Sequence, residues 1–69
     1  MKLSARNIFQ GKIVSIKNGP VSSLVELEIA PGVLITSSIT SPSAKELKLK
    51  KGKEAYAVIK SSNIIIGVD

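Results

Sequence analysis

Val25, Leu27 and Ile29 alternate with Glu26 and Glu28, and that period of two commits the middle of the chain to a strand with one buried face. The same period recurs on either side of it. Asn7 to Lys17 reads as a strand with Phe9, Gly11 and Ile13 on one side of the pleat and Ile8, Val14 and Ile16 on the other. Both of its faces are partly apolar, which suits a sheet packed on two sides. Asn18-Gly19-Pro20 is a turn signal, Val21 to Ala30 is the next strand, and Pro31-Gly32 turns the chain into a third from Val33 to Ile39.

Ser43-Ala44-Lys45-Glu46 matches a capping box, with Ser at the N-cap and Glu three residues on. The pattern predicts a short helix from about Ser43 to Lys50. Lys48, Lys50 and Lys51 stand toward its negative dipole end, and Gly52 is the stop. Glu54 to Lys60 and Asn63 to Val68 read as two further strands, with Ser61-Ser62-Asn63 as a hairpin connection. The order β-β-β-α-β-β predicts a mainly β fold. The expected form is a small five-stranded barrel of the oligonucleotide/oligosaccharide-binding (OB) type, with one helix between strands three and four. No linker, repeat or low-complexity stretch divides it, so residues 1–69 are expected to form a single domain.

A chain of 69 residues buries only about 60% of its unfolded surface, so it holds a marginal core alone. Small domains recover stability from disulfides, metals or oligomers. With no Cys and no His, disulfides and Cys/His zinc sites are excluded. Self-association remains, and 43% hydrophobic residues is more apolar surface than one small barrel hides. The lack of Cys fits a cytoplasmic setting. Met1 to Asn7 has no apolar stretch of the kind a signal peptide carries, and the longest apolar run, Ile64-Ile65-Ile66, is far too short to span a bilayer.

The net charge of +5 favours anionic partners. Twelve residues are Ser or Thr, and many gather beside basic residues. They do so in Ser4-Ala5-Arg6-Asn7, in Thr36 to Ser43, and in Lys60-Ser61-Ser62. None of these segments contains a carboxylate. Hydroxyls, ammonium, guanidinium and backbone N–H groups all donate to an oxyanion, and a carboxylate repels one. The candidate ligand-binding segments are therefore Ser4 with Arg6, Thr40-Ser41-Pro42-Ser43, and Lys60-Ser61. Taken singly, a solvated Arg, an N-cap and a polar connection would explain each segment. A helix start beside Thr40 to Ser43 adds free N–H groups and a positive dipole end.

The ordered set has a resemblance. Ser4-Ala5-Arg6-Asn7, a following strand with Gly11, then Ile39-Thr40 with Ser43-Ala44 and Leu47, then Lys51-Gly52 and a late Lys60-Ser61, resembles the molbindin family, the Mop or TOBE domain. The resemblance spans nearly the whole chain. It implies binding and storage of molybdate or tungstate without catalysis, with molybdenum present only as the oxyanion and no organic cofactor. It also implies a homo-hexamer built as a trimer of intertwined dimers, with ligands between subunits. By position, Ser4, Ala5, Arg6, Thr40, Ser43, Lys60 and Ser61 would contact the anion. A second class of site is implied at the turn, at Gly19, Val21 and Ser22.

Three other readings are open to a chain of this kind. An OB-type barrel with +5 charge suits nucleic acid, with Lys48, Lys50, Lys51 and Lys53 as phosphate contacts. However, single-strand binders of this fold stack bases on aromatic platforms, and this chain has one Tyr, one Phe and no Trp. An enzyme without His or Cys would need a Ser-Lys pair, and Lys60 and Ser61, read as strand neighbours, would point to opposite faces. A ligand-free regulatory or structural domain is the third reading. Against it, a start at Met1 and an end just past the last strand read as a complete small protein.

Overall fold

Residues 2–69 are described by the computed structural model. Strands β1 (Asn7–Asn18), β2 (Ser22–Ala30), β3 (Val33–Thr40) and β4 (Glu54–Ile59) form one antiparallel sheet in the order β3-β2-β1-β4. Helix α1 (Ser41–Glu46) lies between β3 and β4, and a 3-10 turn, Ser61–Asn63, follows β4. The fold is thus mainly β with one short helix, as expected. The sheet has four strands, though, and curls into a half-barrel instead of closing as five.

The missing strand is Asn63 to Val68. Ser61-Ser62-Asn63 contains no glycine for the positive φ that a tight hairpin turn requires. It winds into the 3-10 turn instead, and the residues beyond it pair with nothing in the sheet. Ile65, Ile66 and Val68 are left 94%, 84% and 95% exposed.

The alternation in β2 works as its pattern dictates. Val25 and Leu27 are buried and, with Ile13 of β1, form the core, around which Ile16, Ile29, Ile39, Leu49, Ala55 and Ala57 pack. Ile16 was expected on the face opposite Ile13 but shares its side. The β1–β2 register slips between Ile13 and Ser15, so Ile13 pairs with Leu27 and Ile16 with Val25. One extra residue, Val14, flips the phase of everything after it. Gly11 allows the curl. A Cβ there would stand 2.8 Å from the Glu28 carbonyl carbon and 3.1 Å from Ile29 Cα, so β2 folds across β1 where residue 11 has no side chain.

The helix begins and ends earlier than its capping box suggested. Thr40, not Ser43, is the N-cap, because its hydroxyl accepts from Ser43 N–H at 3.2 Å and Pro42 fits the first turn. The stop is Lys48, not Gly52. Lys48 N–H donates to Lys45 O at 3.0 Å and Leu49 N–H to Ala44 O at 3.1 Å, which is the paired closure of a Schellman motif. This places Lys48 at φ 53° and turns Leu49 into the core. The Lys53 ammonium donates to the Leu47 carbonyl at 2.7 Å. One of the four lysines offered as phosphate contacts is therefore occupied by the helix end.

A left-handed conformation costs a non-glycine residue about 1–2 kcal/mol, of which glycine's extra unfolded entropy returns a part. Lys48→Gly is accordingly expected to stabilise the fold by about 0.5–1 kcal/mol, read as a higher denaturation midpoint with an unchanged slope in urea.

Candidate functional site

The β1–β4 pairing starts at Asn7↔Ile59. The strands are antiparallel, so Ser4-Ala5-Arg6, just before Asn7, and Lys60-Ser61, just after Ile59, leave the sheet at the same edge. Asn7 ties them together. Its side-chain amide donates to Ile59 O at 3.2 Å and to Ser61 Oγ at 3.5 Å. Ser4, Arg6, Lys60 and Ser61 are exposed and Ala5 is half-buried. Lys60 is the N-cap of the 3-10 turn, not a strand residue, so the opposite-faces relation expected for Lys60 and Ser61 does not hold.

The other candidates gather at the far end of β1. Ser22 pairs with Thr40 across β2 and β3, and Asn18 pairs with Ser23 across β1 and β2. Ser41 N–H donates to Val21 O at 2.9 Å. The turn carrying Gly19, Val21 and Ser22 therefore sits against the segment carrying Thr40 and Ser43, although the sequence reading kept them as two sites. Thr40 Oγ1 donates to Ser43 Oγ at 2.7 Å, which uses its only hydrogen. The Ser43 hydroxyl hydrogen stays free to point outward.

Between the two clusters runs the whole of β1. Eleven residue steps at about 3.3 Å each make roughly 35 Å of strand, against a longest molecular dimension of 37 Å. The fold brings Arg6 to Lys60-Ser61 and Thr40-Ser43 to Gly19-Ser22, and it holds the first pair of segments away from the second.

Sequence reasoning missed Ser23, and it gave no role of their own to Asn7 and Ser41, which stood inside its candidate segments. Ser23 is 1% exposed and bonds to both Asn18 and Ser41. It had a signal, because it stands in phase with Val25 and Leu27 on the inward face of the cleanest strand, where a polar residue needs a partner.

The aromatic residues form no shared platform. Phe9 pairs with Ala57 and Tyr56 with Gln10, so they sit on opposite faces of the sheet. Among the described residues no group of three or more acidic, His or Cys side chains could hold a metal ion. No helix among the described residues is long and apolar enough to cross a membrane.

Fold and candidate site together define a small curled sheet with hydroxyls at both ends and the cations Arg6 and Lys60 at one of them. A model of the TOBE domain matches residues 3–66. A probable molybdenum-pterin-binding protein of Haemophilus influenzae is 46% identical over 69 residues, covering 100% of both chains. MopII from Clostridium pasteurianum superposes with a TM-score of 0.91 at 46% identity, over 97% of this chain and 100% of that one. The cytoplasmic molybdate-binding protein ModG, solved with molybdate bound, superposes with a TM-score of 0.95 at 46% identity, over 100% of this chain and 49% of ModG. The chain belongs to the TOBE-domain family.

Proposed function

We propose that this chain, as a single domain over residues 1–69, is a cytoplasmic binding protein for molybdate or tungstate that serves molybdenum storage or homeostasis without catalysis. The anion is held between subunits. Ser4, Ala5, Arg6, Lys60 and Ser61 come from one copy and Thr40 and Ser43 from another, Thr40 acting through the Ser43 hydroxyl to which it donates, with a second class of site at Gly19, Val21 and Ser22. The observation that carries this reading is the length of β1 between the two donor clusters, since a tetrahedral anion a few ångströms wide touches both only if they come from different copies. Its relatives' names support the ligand. The anion itself is the ligand, not an organic molybdenum cofactor, because the three segments contain no aromatic ring to stack on a pterin. Calorimetric titration with molybdate, sulfate and single-stranded DNA tests the reading. Saturable molybdate binding with no DNA binding is expected, and DNA binding alone would replace this function with nucleic-acid recognition.

The uncovered surface supports the oligomer. The concave side of the half-barrel is an open hollow of about 600 Å³ lined by Ile13, Val25, Leu27, Leu49 and Ala57 among others, and the apolar tail from Ile64 to Val68 pairs with no strand among the described residues. A second copy supplies the absent strand, and three such pairs make the hexamer. Native mass spectrometry at micromolar concentration should show a homo-oligomer, a hexamer by this reading. A monomer as the sole species would remove the shared sites.

Phosphate should compete poorly with molybdate near neutral pH. Much of it carries a proton there, and that proton needs an acceptor. A buried O–H facing a donor leaves groups unpaired at about 1–3 kcal/mol each. Sulfate has no such proton and should compete somewhat better, but weakly, because it is too small to reach donors spaced for molybdate. Competition titrations in which phosphate matches molybdate at equal concentration would contradict a donor-only cage.

A further inference from the structure

The turn from Asn18 to Ser22 is held by three side chains that have been given no role so far. Ser41 Oγ donates to Gly19 O at 2.6 Å, Ser41 and Ser23 Oγ are 2.9 Å apart, and Ser23 Oγ is 3.1 Å from the Asn18 amide oxygen. Each contact needs one hydrogen, and two hydroxyls supply only two. With the amide oxygen toward Ser23, one contact has none. Exchanging the amide O and N atoms supplies the third, because the Asn18 NH2 then donates to Ser23. The result is a directed relay in which Asn18 donates to Ser23, Ser23 to Ser41, and Ser41 to the Gly19 carbonyl. Its middle member is sheltered from water, with Ser23 1% exposed, while Ser41 is half-buried and Asn18 stands at the surface.

The relay ends on the turn it starts beside. Ser41 holds that turn twice, by its hydroxyl on Gly19 O and by its N–H on Val21 O at 2.9 Å. The Gly19 N–H is also taken, by Ser22 O at 3.0 Å. Two carbonyls that would repel an anion are thereby turned inward, while the Val21 N–H has no backbone partner among the described residues.

We infer that Asn18, Ser23 and Ser41 are positioning residues that withdraw the Gly19 and Val21 carbonyls and leave the turn a net hydrogen-bond donor to an oxyanion. This rests on the turn being the second class of site proposed above.

The test is calorimetry of the intact oligomer with sodium molybdate. Ser41→Ala should weaken the turn class about tenfold or more, as expected for one unmade buried hydrogen bond, and leave the class that needs Arg6 at its wild-type affinity. Ser41→Thr, which keeps the hydroxyl, should restore the turn class. Equal weakening of both classes, or of neither, overturns the positioning role while leaving the turn site standing. Loss of all binding in Arg6→Ala would show that no separate turn class exists and removes the premise. Should Ser41→Ala fail to fold, the wild-type protein still decides by NMR. One Asn18 side-chain N–H should lie close enough to Ser23 to give a cross-peak with it, and no such contact from either N–H would break the relay.

Discussion

Arg6→Ala and Lys60→Ala should each weaken molybdate binding by about 2–5 kcal/mol, the cost of removing one partner from a desolvated charge-assisted pair. Molybdate is a dianion near neutral pH, and burying it without cations is prohibitive. Arg6 and Lys60 both stand one step beyond the Asn7↔Ile59 rung, so both are placed to act on one anion under the proposed site. Lys51→Ala is the control. Lys51 is exposed in the turn before β4, and its loss should change little. Titration of the three variants separates a built site from general surface charge. Equal, small effects from all three would mean that net charge alone attracts the anion.

Gly11→Ala should cost about 3 kcal/mol, the upper part of the range for overpacking. The added methyl meets the Glu28 and Ile29 backbone, which cannot rotate away as a side chain would. A chain of this size holds on the order of 5 kcal/mol in all, so the variant should populate unfolded or open forms that circular dichroism melts detect. A wild-type melting profile would mean that the curl of β2 over β1 does not depend on this contact. By contrast, Gly32→Ala brings its Cβ near no atom within 4 Å and is strained only through its φ of 76°.

The first three strands were readable because one-sided alternation and the turns Asn18-Gly19-Pro20 and Pro31-Gly32 coincide. The bulge at Val14 was not, because both faces of β1 are apolar and a phase slip leaves the pattern looking the same. The helix was placed two residues late at its start and four at its end. Thr40 and Ser43 both qualify as caps, and the contest is decided by Pro42, which fits the first turn of a helix better than the position before it.

The fifth strand shows the limit of local pattern most clearly. Ile64 to Val68 has the side chains of a strand, yet strand pairing needs a partner edge, and none in this chain receives it. Most of the candidate site residues could be proposed from residue type, being hydroxyls and cations without carboxylates. Their division into two clusters depends on register and was not readable. Ser23 and Ser41 were passed over because each looks like an ordinary polar residue until the buried phase of β2 is known.

The central claim is that one anion takes donors from two copies of the chain, and mixed oligomers test it most directly. Arg6→Ala subunits keep Thr40 and Ser43, and Ser43→Ala subunits keep Arg6 and Lys60, so neither alone forms a complete site. Coexpressed in equal amounts, they should regain roughly a quarter of the wild-type tight sites, since random assembly pairs two intact half-sites that often across a repeated interface. Molybdate stoichiometry near that fraction is the predicted result. Mixed oligomers that bind no more than either variant alone would place all the donors of a site within one chain and contradict the account.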